Sequence, residues 1–348
     1  MKIVKGMPVG TDGRVHTTFG HNPSTLRLCS MGPNLQNIPR GGSEAQKWVK
    51  DIFEAPPGYV FLEADYSALE AVLVGYFAGS ARYTRFAKLG VHAYMAAHLP
   101  EVGWEVDLTL PDDEVKKLFK KLKKEHDGPY NVSKRVVHLS NYLGTPRKMW
   151  EEYPETFPTT KDAARLQGFY FELFPEIPEW HRDFTRRVDA TKSRGNTEGV
   201  SDEPEPGPWT LGVATVQNPF GYLHRFYNVL DWEKINGEWY SSYGDDAKRL
   251  IAFFPQSTGS GIVKQAASTV YYEYPDVGAM LRLLIHDSLF LEVPEERVQE
   301  VAFIIKQVMT APIPQLPLDP TWNMGEFLTI GVEIKVGKVW SEMKEIDV

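Results

Sequence analysis

The stretch Leu281-Arg-Leu-Leu-Ile-His286-Asp287-Ser-Leu-Phe-Leu-Glu-Val293 sets a polar triplet between two apolar runs. Leu281, Leu283, Leu289, Leu291 and Val293 fall at odd positions on either side of His286-Asp287-Ser288. The pattern predicts two strands joined by a polar tip, and burial of both strands would make the tip a rigid place to present a carboxylate. A second apolar run, Tyr59-Val-Phe-Leu-Glu-Ala-Asp65-Tyr-Ser, also ends on an aspartate. Leu69, Val72, Leu73, Tyr76 and Phe77 then recur at helical spacing, which puts Asp65 at a strand-to-helix junction. A single aspartate at a strand end is ordinarily a turn former or helix cap. Two on neighbouring strand ends, however, suit a pair of Mg2+ ions placed on the attacking and leaving oxygens of a phosphoryl transfer.

Bulk properties narrow the class. The 348 residues are 42% hydrophobic, enough for one large catalytic unit or two subdomains. No run of roughly 18 apolar residues occurs and Met1-Lys-Ile-Val-Lys-Gly lacks a signal core, so an intracellular, soluble chain without a membrane role is expected. Cys29, the one cysteine, can form no internal disulfide and reads as a reduced, small core residue. The net charge of −8 argues mildly against nucleic-acid binding, but its distribution is uneven. Lys116, Lys117, Lys120, Lys121, Lys123, Lys124, Lys134, Arg135, Arg147 and Lys148 gather positive charge, while Glu198 to Glu205 is acidic and Pro/Gly-rich, an exposed insertion or docking surface. A solvated helix face explains the lysine run as well as a binding surface does.

Along the chain, residues 1–40 are turn-rich with strand-like pieces near Arg14 to Phe19. Residues 80–190 read mostly as helices, with Val115, Leu118, Phe119 and Leu122, and then Leu166, Phe169, Tyr170 and Leu173, at helical spacing. Residues 191–245 read as loop-rich with a strand near Leu223 to Tyr227. A helix over Gly261 to Tyr274, the Asp287 hairpin, an amphipathic helix over Glu295 to Met309 and a strand over Leu328 to Val336 follow. Strands at both ends around a helical insert define an α+β arrangement. Within the insert, Lys134, His138 and Tyr142 stand four residues apart and share one helix face. A cation, an imidazole and an aromatic ring in a row suit a nucleoside triphosphate.

Taken in order, Asp65-Tyr-Ser-Ala-Leu-Glu70, the Lys134 helix and His286-Asp287-Ser288 resemble motifs A, B and C of family A DNA polymerases, the bacterial polymerase I group and its phage relatives. Arg27-Leu-Cys-Ser-Met-Gly-Pro33-Asn34-Leu-Gln36-Asn37-Ile-Pro39 is similar to that family's primer- and template-contacting stretch, and Gly337-Lys-Val-Trp340 to its C-terminal end. The resemblance is loosest over residues 95–128 and 190–245. It implies a right-hand palm built on an antiparallel sheet with inserted helical fingers: palm over residues 1–79, fingers over 80–190, and palm again over 191–348, with the acidic insertion at about 191–210. It also implies a nucleotidyltransferase in a bacterial or phage-infected cell, adding deoxynucleotides to a primer 3′ end with two Mg2+ ions.

Carried over residue by residue, the resemblance makes Asp65, the Tyr66 carbonyl and Asp287 the metal ligands, with Lys134 on the triphosphate. Glu70 becomes the gate against a ribose 2′-hydroxyl, His92 lies near the phosphates, and Tyr142 stacks near the templating base beside His138. Arg27, Asn34, Gln36, Asn37, Gln256 and His286 line the primer terminus and nascent pair. Several positions depart from the family's pattern. Tyr130 replaces a triphosphate-binding Arg, with Arg135 on a different face; His138 replaces Phe or Tyr, Leu139 a Gly, Ser288 an acidic residue and Ala68 a Gln. Altered nucleotide affinity is the expectation. Residues 1–26 leave no room for the family's thumb and exonuclease, so weak grip on primer-template is expected, with a second polypeptide supplying those parts or the chain being a fragment. The alternatives are a single-subunit RNA polymerase, which Glu70 opposes, and a non-catalytic DNA-binding subunit of the same fold.

Overall fold

A computed structural model describes residues 7–21, 25–38, 44–183 and 214–348. The acidic stretch at Glu198 to Glu205 lies outside the described residues. By contacts the chain forms two compact units, Met1–Leu69 with Gln256–Val348, and Glu70–Pro255. Their boundaries fall ten residues before the break placed at 79/80 in the sequence and well beyond the one at 190/191.

The first unit is built on a five-stranded antiparallel sheet in the order β13(Lys344–Glu345), β12(Val332–Gly337), β3(Tyr59–Tyr66), β9(Ser288–Pro294), β8(Leu281–Ile285). Leu62 and Ala64 pair with Leu291 and Leu289 on one side and with Val336 and Ile334 on the other, giving one apolar face. The helix α12(Val298–Thr310), which packs on β3, β9 and β12, buries Val301, Ala302, Ile305 and Met309. The opposite face carries Phe61 and Phe290, whose rings stand 5.0 Å apart in a cluster with Leu35, Ile38, Ile285 and Trp340. Fully buried Leu62 is worth about 1.5–3 kcal/mol. Because both faces of β9 are covered, the strand is buried from Ser288 to Val293 and the odd-position pattern understates its burial.

A two-stranded sheet of β1(Thr18–Gly20) and β2(Cys29–Met31) lies in the N-terminal part of this unit, and Cys29 is half-buried on it rather than in the core. Nearby, Arg14 grips buried Glu292 through two bonds of 2.8 and 2.9 Å, with Arg282 adding a third of 3.3 Å. Burial alone would raise the Glu292 carboxyl, but hydrogen bonds and charge from Arg14 and Arg282 carry it below the ordinary glutamate value. Arg14→Ala is therefore expected to cost about 1–3 kcal/mol, read as a lower urea midpoint at neutral pH. The loss should shrink as pH falls through the folded Glu292 pKa, since the stabilisation needs the carboxylate.

The second unit is mainly helical: α2(Leu69–Phe77), most of which belongs to it, α3(Ala81–Leu89), α4(Val91–Ala97), α5(Asp112–Glu125), α6(Asp127–Asn141), α7(Pro146–Glu152), α8(Thr160–Leu173) and α9, described over residues 176–183. Ser80, Thr145 and Thr159 cap α3, α7 and α8 by accepting from Tyr83, Lys148 and Asp162 N–H groups. Asp112, Asp113 and Glu114 open α5 while Lys123 and Lys124 close it, as the helix dipole favours. At the centre Tyr170 donates to Asn141 at 2.6 Å, the Asn141 amide donates to the Tyr83 hydroxyl at 2.9 Å, and the His181 Nε2 meets the Asn141 carbonyl at 3.0 Å. This network fixes the C-terminal end of α6.

Two hairpins follow, β4(Ala214–Gln217) with β5(Leu223–Phe226) and β6(Leu230–Ile235) with β7(Glu238–Tyr243). The second corrects the loop expected through residue 245. Asn236 and Gly237 turn it at φ 52° and 91°, the left-handed pair that an Asn-Gly hairpin requires. The helix α10(Ala247–Glu273) begins 14 residues before the expected Gly261 and runs through Pro255. A short α11(Pro275–Gly278) leads into β8.

Candidate active site

Within the first unit, the register of the sheet decides where the two aspartates meet. Asp65 pairs with Ser288 across β3 and β9, so Asp287 lies one residue beyond it in the turn. The Tyr66 N–H donates to the Asp287 carbonyl at 3.2 Å. Both aspartates are half-buried at the same end of adjacent strands. Ile285 pairs with Ser288, leaving a two-residue turn in which His286 adopts φ 52°. A non-glycine residue there costs of order 1 kcal/mol, and such strain is stored where a side chain must be aimed. His286 is exposed and Asp287 is turned in.

Arg27 approaches this tip, its Nη2 3.6 Å from Asp287 Oδ1. The segment before it is anchored where the Leu26 carbonyl accepts from Ser260 Oγ at 2.8 Å and from Lys264 Nζ at 2.6 Å, both on α10. Gln36 is buried, its Nε2 donating to the Leu284 carbonyl at 2.8 Å and its Oε1 accepting from the Ser30 N–H at 2.9 Å. It positions this segment against β8. The Asn34 side chain accepts from the Gln36 and Asn37 N–H groups at 3.1 Å, and Asn34 and Asn37 are both exposed. Gln256 is half-buried on α10.

Two carboxylates were not singled out in the sequence. Glu333 lies opposite Asp65 on β12, and Glu63 lies two residues before Asp65 with its Oε1 3.2 Å from the Ser288 hydroxyl. An acidic residue within an apolar strand was the available signal. Among the described residues no three His, Cys, Asp or Glu side chains close around a metal.

The second unit carries the remaining residues. Lys134 and His138 are exposed on α6, and Tyr142 at its C-cap is half-buried, with the His138 and Tyr142 rings 5.4 Å apart. The Tyr142 hydroxyl donates to Glu70 Oε2 at 3.0 Å, which ties Glu70, in the first turn of α2, to the α6 face. On α4, His92 stands with its ring 6.1 Å from that of Tyr130, and its buried Nδ1 has no hydrogen-bond partner among the described residues. Burial above all, then the charges of Lys134, His138 and Lys123, pushes its pKa down to about 4. Arg135 points elsewhere, bonding Glu155 at 2.8 Å and stacking 4.5 Å over Tyr153.

Burial likewise pushes His181 down to about 4, against an opposing bond from the Asn141 carbonyl. For both histidines the folded pKa lies below the unfolded 6.5, so the unfolded chain binds more protons between these values. Their stabilisation is complete above about pH 6.5 and is lost toward pH 4. Unfolding free energy should fall by roughly 1–3 kcal/mol across that window, measured by denaturation at each pH, and His181→Gln should flatten the slope.

Residues 2–127 match the sequence profile of DNA polymerase family A. The thermostable DNA polymerase I of Thermus filiformis is 27% identical over 96% of this chain and 33% of its own length. Over residues 2–127 the chain is similar to DNA polymerase family A. The Thermus aquaticus enzyme is 26% identical over 96% of the chain and 33% of its own length, and the Chloroflexus aurantiacus DNA polymerase I is 26% identical over 96% and 30%. The chain thus spans about a third of the length of these relatives. A solved polymerase domain of Pol1 from M. smegmatis, in complex with DNA primer-template and dNTP, aligns with a TM-score of 0.63 over 97% of this chain and 50% of its own, at 21% identity. That likeness carries the fold, a right-hand polymerase architecture. Among the described residues no helix is long and apolar enough to cross a membrane.

Proposed function

We propose that the chain carries out template-directed DNA synthesis, extending a primer 3′ end with deoxynucleotides. The observation that carries this reading is the register of β3 and β9, which puts Asp65 and Asp287 side by side at one strand end. Asp65, Asp287 and the Tyr66 carbonyl would hold Mg2+, which would supply charge neutralisation for phosphoryl transfer to the primer 3′-hydroxyl. Lys134 meets the triphosphate as a point charge. His92, neutral at pH 7, lines the phosphate end without adding charge. Glu70, tied to Tyr142, closes the sugar side, and the Tyr142 ring stacks near the templating base. Arg27, Asn34, Asn37, Gln256 and His286 contact primer and template, Gln36 acting by holding its segment in place. Such contacts fix a duplex without reading its sequence, as copying requires.

The test is extension of an annealed, labelled primer by the full chain with four dNTPs and Mg2+. Template-directed products are expected with Mg2+ and none with EDTA. Absence of extension at any Mg2+ concentration would exclude the reading, and equal use of ribonucleotides would move it to RNA synthesis.

A further inference from the structure

The lysine run of α5 is not one uniform surface. Lys117 pairs with Asp113 at 3.6 Å, and Lys121 pairs with Glu125 at 3.8 Å while lying 5.6 Å over Trp104. Lys123 differs. Its Nζ stands 5.2 Å over the Tyr130 ring, across the α5–α6 packing, and the residue is otherwise exposed. Tyr130, Lys134 and His138 stand four apart on α6 and so share a face, which puts the Lys123 ammonium one turn before Lys134.

Resting on the reading of this face as the triphosphate site, we propose that Lys123 is a second triphosphate-binding cation, delivered from α5 and steered by the Tyr130 ring. Three features converge on it. Arg135, the other nearby cation of α6, is committed to Glu155 and Tyr153 and lies off this face. Lys134 on α6 and Lys123 both lower the pKa of His92, whose ring stands 6.1 Å from the Tyr130 ring that carries the Lys123 ammonium. The buried Nδ1 of His92 beside Tyr130 has no hydrogen-bond partner among the described residues. A cation held over an aromatic face keeps its charge while remaining free of a fixed carboxylate, so an arriving phosphate need not break an ion pair. Polyphosphate chains, rather than nucleosides, are what such a row of cations selects.

The test compares dATP and dAMP binding to the full chain, with Mg2+, by isothermal titration. Lys123→Met should weaken dATP by about tenfold and leave dAMP nearly unchanged, as expected for loss of one charge-assisted contact. Tyr130→Arg in the Lys123→Met background should restore dATP affinity, because the cation would then arise from α6 itself. Lys124→Met, one residue along, should bind as wild type. Equal affinity of Lys123→Met and Lys124→Met for dATP would overturn the proposal, as would equal weakening of dATP and dAMP. Lys134→Met separates the two levels of inference. If it lowers dATP affinity while Lys123→Met does not, the site stands and the Lys123 role falls; if neither does, the triphosphate site itself is wrong.

Discussion

Asp65→Ala should lower the rate of primer extension by roughly 10³-fold or more, with primer-template affinity changed little. The size follows from where the charge sits. Asp65 is held one residue from the end of a strand whose neighbours on both sides are fixed by the register, opposite Glu333 and Ser288. Loss of roughly 10³ corresponds to about 4 kcal/mol of transition-state stabilisation, a magnitude known for single groups facing a developing charge in a desolvated site. Asp287→Ala should behave alike, with a further small loss of stability from its 3.6 Å pairing with Arg27. Single-turnover extension together with a gel-shift on the same primer-template decides the matter. Extension within tenfold of wild type for Asp65→Ala would remove the carboxylate pair from the chemistry. Equal loss of binding and extension would make it a folding residue.

The second large effect concerns sugar choice. Glu70→Ala should raise the efficiency of ribonucleotide incorporation relative to deoxynucleotide by roughly 10²-fold, while deoxynucleotide incorporation falls only modestly. The carboxylate is positioned rather than loose, because the Tyr142 hydroxyl holds Oε2 at 3.0 Å and the helix N-terminus favours its charge. On the proposed reading, a 2′-hydroxyl there would meet both bulk and a carboxylate that could not move without losing its bond. Tyr142→Phe cuts only the tether, so it should relax discrimination by a smaller factor, about tenfold. Competition between rATP and dATP at a single templating base gives the ratio directly. Unchanged discrimination in Glu70→Ala would place the gate elsewhere.

The parts that could be read from the sequence were those with an unambiguous period or a tight polar tip. The hairpin of β8 and β9 and the strand into Asp65 follow from apolar runs ending on aspartates, and α5 and α6 from three- and four-residue spacing. Four things were hidden. The hairpin of β6 and β7 was masked by charge in a segment rich in Asp, Glu and Gly, although Asn236-Gly237 announced its turn. The first 14 residues of α10 were lost because Pro255 reads as a helix end, whereas a long helix can absorb one missing N–H. The carboxylates of Glu63 and Glu333 acquire meaning only through cross-strand register, which pairs residues 268 positions apart in the case of Asp65 and Glu333 (333 − 65 = 268). Likewise the tie between Glu70 and Tyr142 spans 72 residues and leaves no local signature.

The guanidinium of Arg27 gives the aspartate tip an occupant of its own. The acid group there is countered from within its own compact unit, by a side chain 260 residues earlier in the chain (287 − 27 = 260). The arginine's reach is set by its backbone neighbour Leu26, which α10 pins through Ser260 and Lys264.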